Sequence, residues 1–305
     1  MAVNENTYYV PAQSKLPLFA SAALFLTVFG AAHWLNGSGK GPLIFLAGAL
    51  LFATVLWSWF STVINENMAG LNSHKMKRSY VWAMGWFIFS EVMFFAAFFG
   101  ALFYVRTFAV PWLGGVGDGV PTREFLWPEF SAEWPLMTTP DMSQYGDKAV
   151  VRGPDENLGF PGFRAMLTWL PLWNTIVLII SSFTVHLAHG ALKDNRRSAF
   201  NRWLGISVLL GMTFIVLQAW EYHHAYTAMG LQLHSGIYGS TFFILTGFHG
   251  AHVTIGTIML LIMWLRSVLK NHFKPDDSFG FEAASWYWHF VDVVWVILFF
   301  VVYIF

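Results

Sequence analysis

Seven long runs of apolar residues dominate the chain, at about Leu16–Trp34, Pro42–Ile64, Ser79–Thr107, Phe163–Leu192, Phe200–Met229, Ser235–Leu269 and Ala283–Phe305. About 20 apolar residues suffice for a helix to cross a bilayer, and the longer runs imply tilt or extension past the lipid. The pattern predicts an all-α membrane protein with seven transmembrane helices. Asn36-Gly37-Ser38-Gly39 marks a turn between the first two runs. The first run lacks a basic leader and a small-residue cleavage pattern, so it reads as a retained helix. Only one sizeable stretch falls outside the runs, a loop at about 108–162 rich in Pro, Gly, Trp and acids. So long a loop is either functional or docked on something, or else a mobile insertion, and the sequence leaves both open.

Polar residues inside the runs carry the next layer of information. In FGFEAASWYWHFVDVVW, Glu282, His289 and Asp292 recur seven and three residues apart and fall near one helical face, with Trp286 between the first two. Hydrocarbon does not tolerate such a stripe, so the last helix should turn it toward protein. Glu91 sits in the third run among phenylalanines, and should be protonated, paired or hydrated there. It reads either as a proton-handling acid or as a hydrogen-bonding partner of a neighbouring helix. Glu221 repeats the situation in the fifth run, and His249 and His252 lie three apart in the sixth among several glycines. Small residues let helices approach closely, and buried histidines then serve as interhelical hydrogen-bond partners or as ligands.

Composition agrees with this picture. Charged residues are 11% of the chain against roughly 25% in soluble domains, and the formal net charge is zero, which argues against a nucleic-acid partner. There is no cysteine, which excludes disulfides, thiolate metal sites and iron–sulfur clusters. Eleven histidines invite a haem or metal reading, with His249 and His252 joined by Glu91 or Glu221. Carboxylate-bridged bundles need Glu-x-x-His on two helices, and here it occurs once, at Glu221–His224. A retinal protein would need a lysine within a span, and none is present. Lys and Arg gather at Lys15, Lys75–Arg78, Lys193–Arg202 and Arg266–Lys274, which predicts that these ends, and the N-terminus, are cytoplasmic and the C-terminus periplasmic.

Several of these segments together resemble subunit III of haem–copper cytochrome c oxidases, in the bacterial aa3-type form. The resemblance rests on SEVMFF around Glu91, WNT at Trp173–Thr175, QAWEY at Gln218–Tyr222, YGSTFF at Tyr238–Phe243, TGFHGAHV at Thr246–Val253 and the long motif Phe279–Trp295. It covers the chain from about Ser79 onward except the long loop, which exceeds the short mitochondrial form. The first two runs match in pattern only, with Ile64 and Glu66 near a family segment. Ser61 and Asn65 stand where the family often has basic residues, and His189-Gly190 where it has a His pair.

The resemblance implies two bundles, helices 1–2 (residues 1–78) and helices 3–7 (residues 79–305), separated by a V-shaped cleft that binds phospholipids. It implies a cofactor-free, non-catalytic subunit of the bacterial cell inner membrane, with haem and copper held by partner subunits. Such a subunit stabilises subunit I, lies in one complex with subunit II, supports proton uptake, and serves electron flow from cytochrome c to O2. Glu91 matches the family's reactive carboxylate, with Glu221 a second proton-handling candidate. Arg266 matches a lipid-headgroup arginine; Glu66, Trp59, Lys75 and Arg78 complete the candidate lipid site. His249, His252, Glu282, His289 and Asp292 form the expected polar seam. The alternatives are a quinol-oxidase or related subunit, against which the first two helices argue, and an independent proton-coupled transporter.

Overall fold

The computed structural model describes residue 10, residues 13–275 and residues 277–305. Ten helices lie among them: α1 Leu16–Leu35, α2 Gly41–Met68, α3 His74–Tyr104, the short α4 Val110–Leu113, α5 Val120–Leu126 and α6 Pro140–Tyr145, then α7 Leu170–Lys193, α8 Arg197–Ala228, α9 Gly236–Lys270 and α10 Phe279–Leu298. Wide helical turns at Val105–Ala109 and Phe299–Ile304 prolong α3 and α10. Seven segments are long and apolar enough to cross a membrane, as the runs predict. The chain is an all-α, multi-pass membrane protein.

Several boundaries differ from expectation, among them the second span's end at Met68 instead of Ile64 and the third's start at Lys75 instead of Ser79. The third span reaches Leu113 instead of Thr107, because the wide turn carries the helix past Arg106 without a break. The fourth begins at Leu170, not Phe163: Gly162 adopts a positive φ, and Pro171 occupies the first helical turn, where its missing N–H costs nothing. The last begins at Phe279, four residues before Ala283.

The chain divides into two compact units, Met1–Ala83 and Met84–Phe305. In the first, α1 and α2 form a hairpin whose helices meet at glycines. A Cβ on Gly48 would stand 2.5 Å from the Thr27 amide, and one on Gly30 would collide with the Phe45 backbone. Helices in lipid gain little from burying apolar side chains against each other, so close backbone approach through small residues supplies the packing. Leu18, Phe25, Val28, Leu43, Leu50 and Trp57 are left facing outward.

In the second unit, α7 packs on α8, α8 on α9, α9 on α10 and α10 back on α7. The part of α3 beyond Met84 lies against α9 and α10, through Phe94 on Phe248, Phe87 on Tyr287 and Phe95 on Phe290. Helix α10 supplies much of the core: Phe281, Ala284, Trp288, Val291, Trp295 and Leu298 recur at helical spacing and are almost wholly buried. Both tryptophans satisfy their indole N–H on α7, Trp288 donating to Ser181 Oγ at 3.1 Å and Trp295 to Thr175 Oγ1 at 3.0 Å. Gly211 and Gly256 flank the Trp288 ring.

The loop is docked on the chain's own helices. Phe130 and Leu136 are buried, and Trp134 stacks edge-on against Tyr238. The amides of Asp155 and Glu156 donate to the Met229 carbonyl, and that of Leu158 to the Tyr238 hydroxyl. Thr139 caps α6, accepting from the Met142 amide while donating to the Val151 carbonyl. Asp141 accepts from the amides of Val150 and Val151.

Candidate functional site

The polar residues of the spans fall into separate clusters. In the first, His252 Nε2 of α9 lies 2.9 Å from Glu91 Oε2 of α3, while His252 Nδ1 is 2.6 Å from the Phe248 carbonyl. A carbonyl only accepts, so Nδ1 carries a proton. If the ring is neutral, Nε2 is then an acceptor and the carboxyl must donate; if the ring is charged, the carboxylate accepts. Either way one proton is held between the two groups, since a neutral ring facing a carboxylate would oppose two acceptors. Phe94, Phe95 and Tyr287 surround the imidazole. The pair is not sealed: the Glu91 side chain remains 21% exposed. Glu91 is thus less deeply buried than its phenylalanine-rich surroundings suggest.

The second cluster centres on Glu221 of α8, which is buried. It accepts from the Tyr303 hydroxyl at 2.6 Å and from Gln218 Nε2 at 3.4 Å, and Asn174 Nδ2 reaches Gln218 Oε1 at 3.5 Å. Its other oxygen, Oε2, makes no hydrogen bond. Sequence reading named Asn174, Gln218 and Glu221 but missed Tyr303. The signal was available: it is the one hydroxyl in the closing run FFVVYIF.

The third cluster joins α7 to α10. Ser182 Oγ and His289 Nδ1 are 2.9 Å apart, with Asp292 Oδ2 3.5 Å from the same ring atom. Two turns earlier, Glu282 accepts from Ser278 at 2.8 Å and faces His189 at 3.6 Å. Glu282, His289 and Asp292 thus share a face toward α7. Trp286 does not join them and packs on Phe279 instead.

The expected seam does not extend to the histidines of α9. Three residues turn a helix by 300°, so neighbours at that spacing diverge by 60°. His249 points inward against Trp295 and Phe214, with neither ring nitrogen hydrogen-bonded, while His252 turns toward α3. They do not converge on a shared ligand position with Glu91 or Glu221. Among the described residues no three His, Cys, Asp or Glu side chains are grouped to hold a metal ion.

The candidate lipid residues lie in different units. Glu66, Lys75 and Arg78 belong to the first, as does Trp59, whose ring is exposed. Arg266 belongs to the second, near the end of α9. Its Nε donates to His272 Nδ1 at 3.4 Å and its guanidinium lies 4.8 Å from the centre of the Phe273 ring. His272 follows the span; partial burial and the charges of Arg266 and Lys270 hold its pKa below the ordinary 6.5. Nearby, Arg197 donates to the Phe273 carbonyl and, at 3.3 Å, to Ser267 Oγ.

Sequence comparison gives these clusters a family. The model of cytochrome c oxidase subunit III matches residues 6–124 and 162–305, leaving 125–161, the middle of the docked loop, unmatched. The chain is 34% identical over 301 residues to cytochrome c oxidase subunit 3 of Drosophila melanogaster, covering 98% of this chain and 97% of that one. It is 35% identical over 303 residues to the Danio rerio protein of the same name, covering 99% and 98%. It is 32% identical over 306 residues to the probable cytochrome c oxidase subunit 3 of Rickettsia conorii, covering 98% and 94%. The chain belongs to the cytochrome c oxidase subunit III family.

Proposed function

We propose that this chain is the cofactor-free accessory subunit of a proton-pumping oxidase that passes electrons from cytochrome c to O2. In this reading it stabilises subunit I, lies in one complex with subunit II, binds phospholipid and supports proton uptake. The haem and copper belong to the partner subunits. The complex resides in a bacterial inner membrane, with this chain's N-terminus cytoplasmic and its C-terminus periplasmic. The V-shaped cleft and the division into bundles of residues 1–78 and 79–305 are part of the same proposal.

The observation that carries the proton role is the Glu91–His252 pair. It holds one proton and joins two helices inside the spans, where an ionisable pair is a candidate for proton handling. Arg266 supports the lipid role: a guanidinium held near a span's end by His272 and Phe273 suits a phosphate.

Purification of the tagged chain from its native membrane in mild detergent, with an optical spectrum and mass spectrometry, tests the assignment. Co-purification of a haem-bearing subunit I is expected. A colourless chain on its own, in a detergent that preserves such complexes, overturns it in favour of a transporter.

A further inference from the structure

Among the described residues, eight buried side-chain oxygen and nitrogen atoms make no hydrogen bond, and four of them belong to Asn174, Glu221 and His249. These residues sit on α7, α8 and α9, and none is more than 2% exposed. Native interiors leave few such atoms unsatisfied, because burying a polar group without a partner is unfavourable.

The three side chains lie around one part of the core. Asn174 reaches Gln218, and Gln218 reaches Glu221, through amide hydrogen bonds of 3.5 and 3.4 Å. Trp295 links the same region to His249. Its indole N–H donates to Thr175 Oγ1, beside Asn174, while its ring lies 5.0 Å from the His249 ring, centre to centre. The Tyr222 hydroxyl and Thr246 Oγ1, 2.7 Å apart, set the register of α8 on α9. Consecutive spans run antiparallel, so Gln218, four residues before Tyr222, and His249, three after Thr246, lie on the same side of that bond. They stand roughly 6 and 4.5 Å along from it, at about one depth. His252 takes no part, since it turns to Glu91.

We infer that the core of the five-helix unit binds one water molecule among Asn174 Oδ1, Glu221 Oε2 and a ring nitrogen of His249. Water fits both states of the carboxyl. Glu221 Oε1 already accepts from Tyr303 and Gln218, so a proton on this group belongs on Oε2. With Oε2 ionised, the water donates to it and to Asn174 Oδ1, and accepts from the protonated nitrogen of His249. With Oε2 protonated, the water accepts from it and donates to Asn174 Oδ1 and to the bare nitrogen of His249. Each arrangement makes three hydrogen bonds, the usual number for a buried water. Three ligands are too few for a hard cation, which takes about six. The water joins His249 to the chain Tyr303–Glu221–Gln218–Asn174, so one network ties α7, α8, α9 and the closing turn after α10. Water has a foothold nearby. A cavity with room for about one molecule is lined by Trp134, Tyr238 and Phe242, and Phe242 also meets the Tyr303 ring at 5.6 Å.

The test uses the complex purified from its native membrane. X-ray radiolysis makes hydroxyl radicals from bound water, and these oxidise the side chains beside it. Trp295 and His249 are both wholly buried, so radicals from bulk solvent do not reach them. Oxidation of one or both is expected, with Tyr145 of the loop, which is exposed, as the solvent control. An oxidised Tyr145 beside unmodified Trp295 and His249 overturns the inference. Asn174→Leu removes an acceptor at little change in volume and is expected to lower oxidation of Trp295 by about tenfold; undiminished oxidation overturns the inference. A density map of the unsubstituted complex, fine enough to show ordered water, gives a reading that needs no variant. A peak about 2.7–3.2 Å from Asn174 Oδ1, Glu221 Oε2 and one His249 nitrogen is expected. No peak there, or one at the cation distance of about 2.3–2.6 Å, overturns the inference.

Discussion

His252 Nε2 and Glu91 Oε2 stand 2.9 Å apart across two helices, and the Phe248 carbonyl on the other side of the imidazole requires a proton between them. The pair is therefore a structural link between α3 and α9 and, in the function proposed above, a proton store as well. Glu91→Gln separates the two roles. A glutamine amide still donates to His252 Nε2, so the fold and the complex should persist, with a stability change within about 1 kcal/mol. The shared proton is gone, so sustained turnover should fall while assembly does not. Glu91→Leu should lower stability by about 1–3 kcal/mol, because the imidazole loses its partner. Thermal unfolding and steady-state oxygen consumption of the purified complex read the two effects separately. Equal loss of assembly in both variants would show that the ionised carboxylate is structurally required.

The buried carboxyl of Glu221 depends on Tyr303, which donates to it at 2.6 Å from the far end of the chain. Tyr303→Phe removes that donor and leaves Gln218, at 3.4 Å, to satisfy the same oxygen. The expected cost is about 1–3 kcal/mol, and Glu221→Gln should couple to it in a double-mutant cycle. Additive effects of the two substitutions on unfolding would contradict the link.

Trp288 is packed between glycines of two different helices. A Cβ on Gly256 would lie 2.8 Å from Trp288 Cε3, and one on Gly211 would lie 2.9 Å from its Cη2. Trp288 is also held by its hydrogen bond to Ser181, so it has little freedom to retreat. Gly256→Val should therefore destabilise the five-helix unit by about 1–3 kcal/mol through overpacking. Gly250→Val, on the same helix with open space around it, is the control and should cost less, chiefly through helix propensity. Equal melting temperatures for the two variants would sink the argument.

The number and rough placement of the spans were legible because twenty apolar residues in a row have few other uses. The face of α10 was legible too, since Glu282, His289 and Asp292 sit at a spacing that only a helix reconciles. What escaped was pairing. His249 and His252 look equivalent in sequence, yet 60° of helix rotation sends one against Trp295 and the other to Glu91. Tyr303 could not be matched to Glu221 because nothing local relates residues 82 apart. The start of α7 was misplaced because Phe163–Trp169 is apolar apart from Arg164 and Thr168 and runs straight into the span, while Gly162 and Pro171 set the actual boundary. Part of the loop's anchoring is by backbone amides, as in the contacts of Asp155 and Glu156 with Met229, and amides leave no mark in the sequence.

His272 offers a pH test outside the membrane. Its Nδ1 accepts from Arg266, and burial together with the charges of Arg266 and Lys270 holds its pKa below 6.5 in the folded chain. The unfolded segment takes up a proton near 6.5, so between that value and the lower folded one the unfolded state binds more protons. The histidine's contribution to stability is then fully present above 6.5 and is lost as pH falls through the folded value. The amides of Asn271 and His272, bonded to Ser267 and Arg266 carbonyls, report this opening directly. Their hydrogen-exchange protection, corrected for intrinsic rates, should fall as pH drops from about 7.5 to about 5. In His272→Gln the side chain can still accept from Arg266 but no longer titrates, so protection should be flat over the same range. A wild-type profile that is equally flat would show that the Arg266–His272 contact does not hold this end of α9.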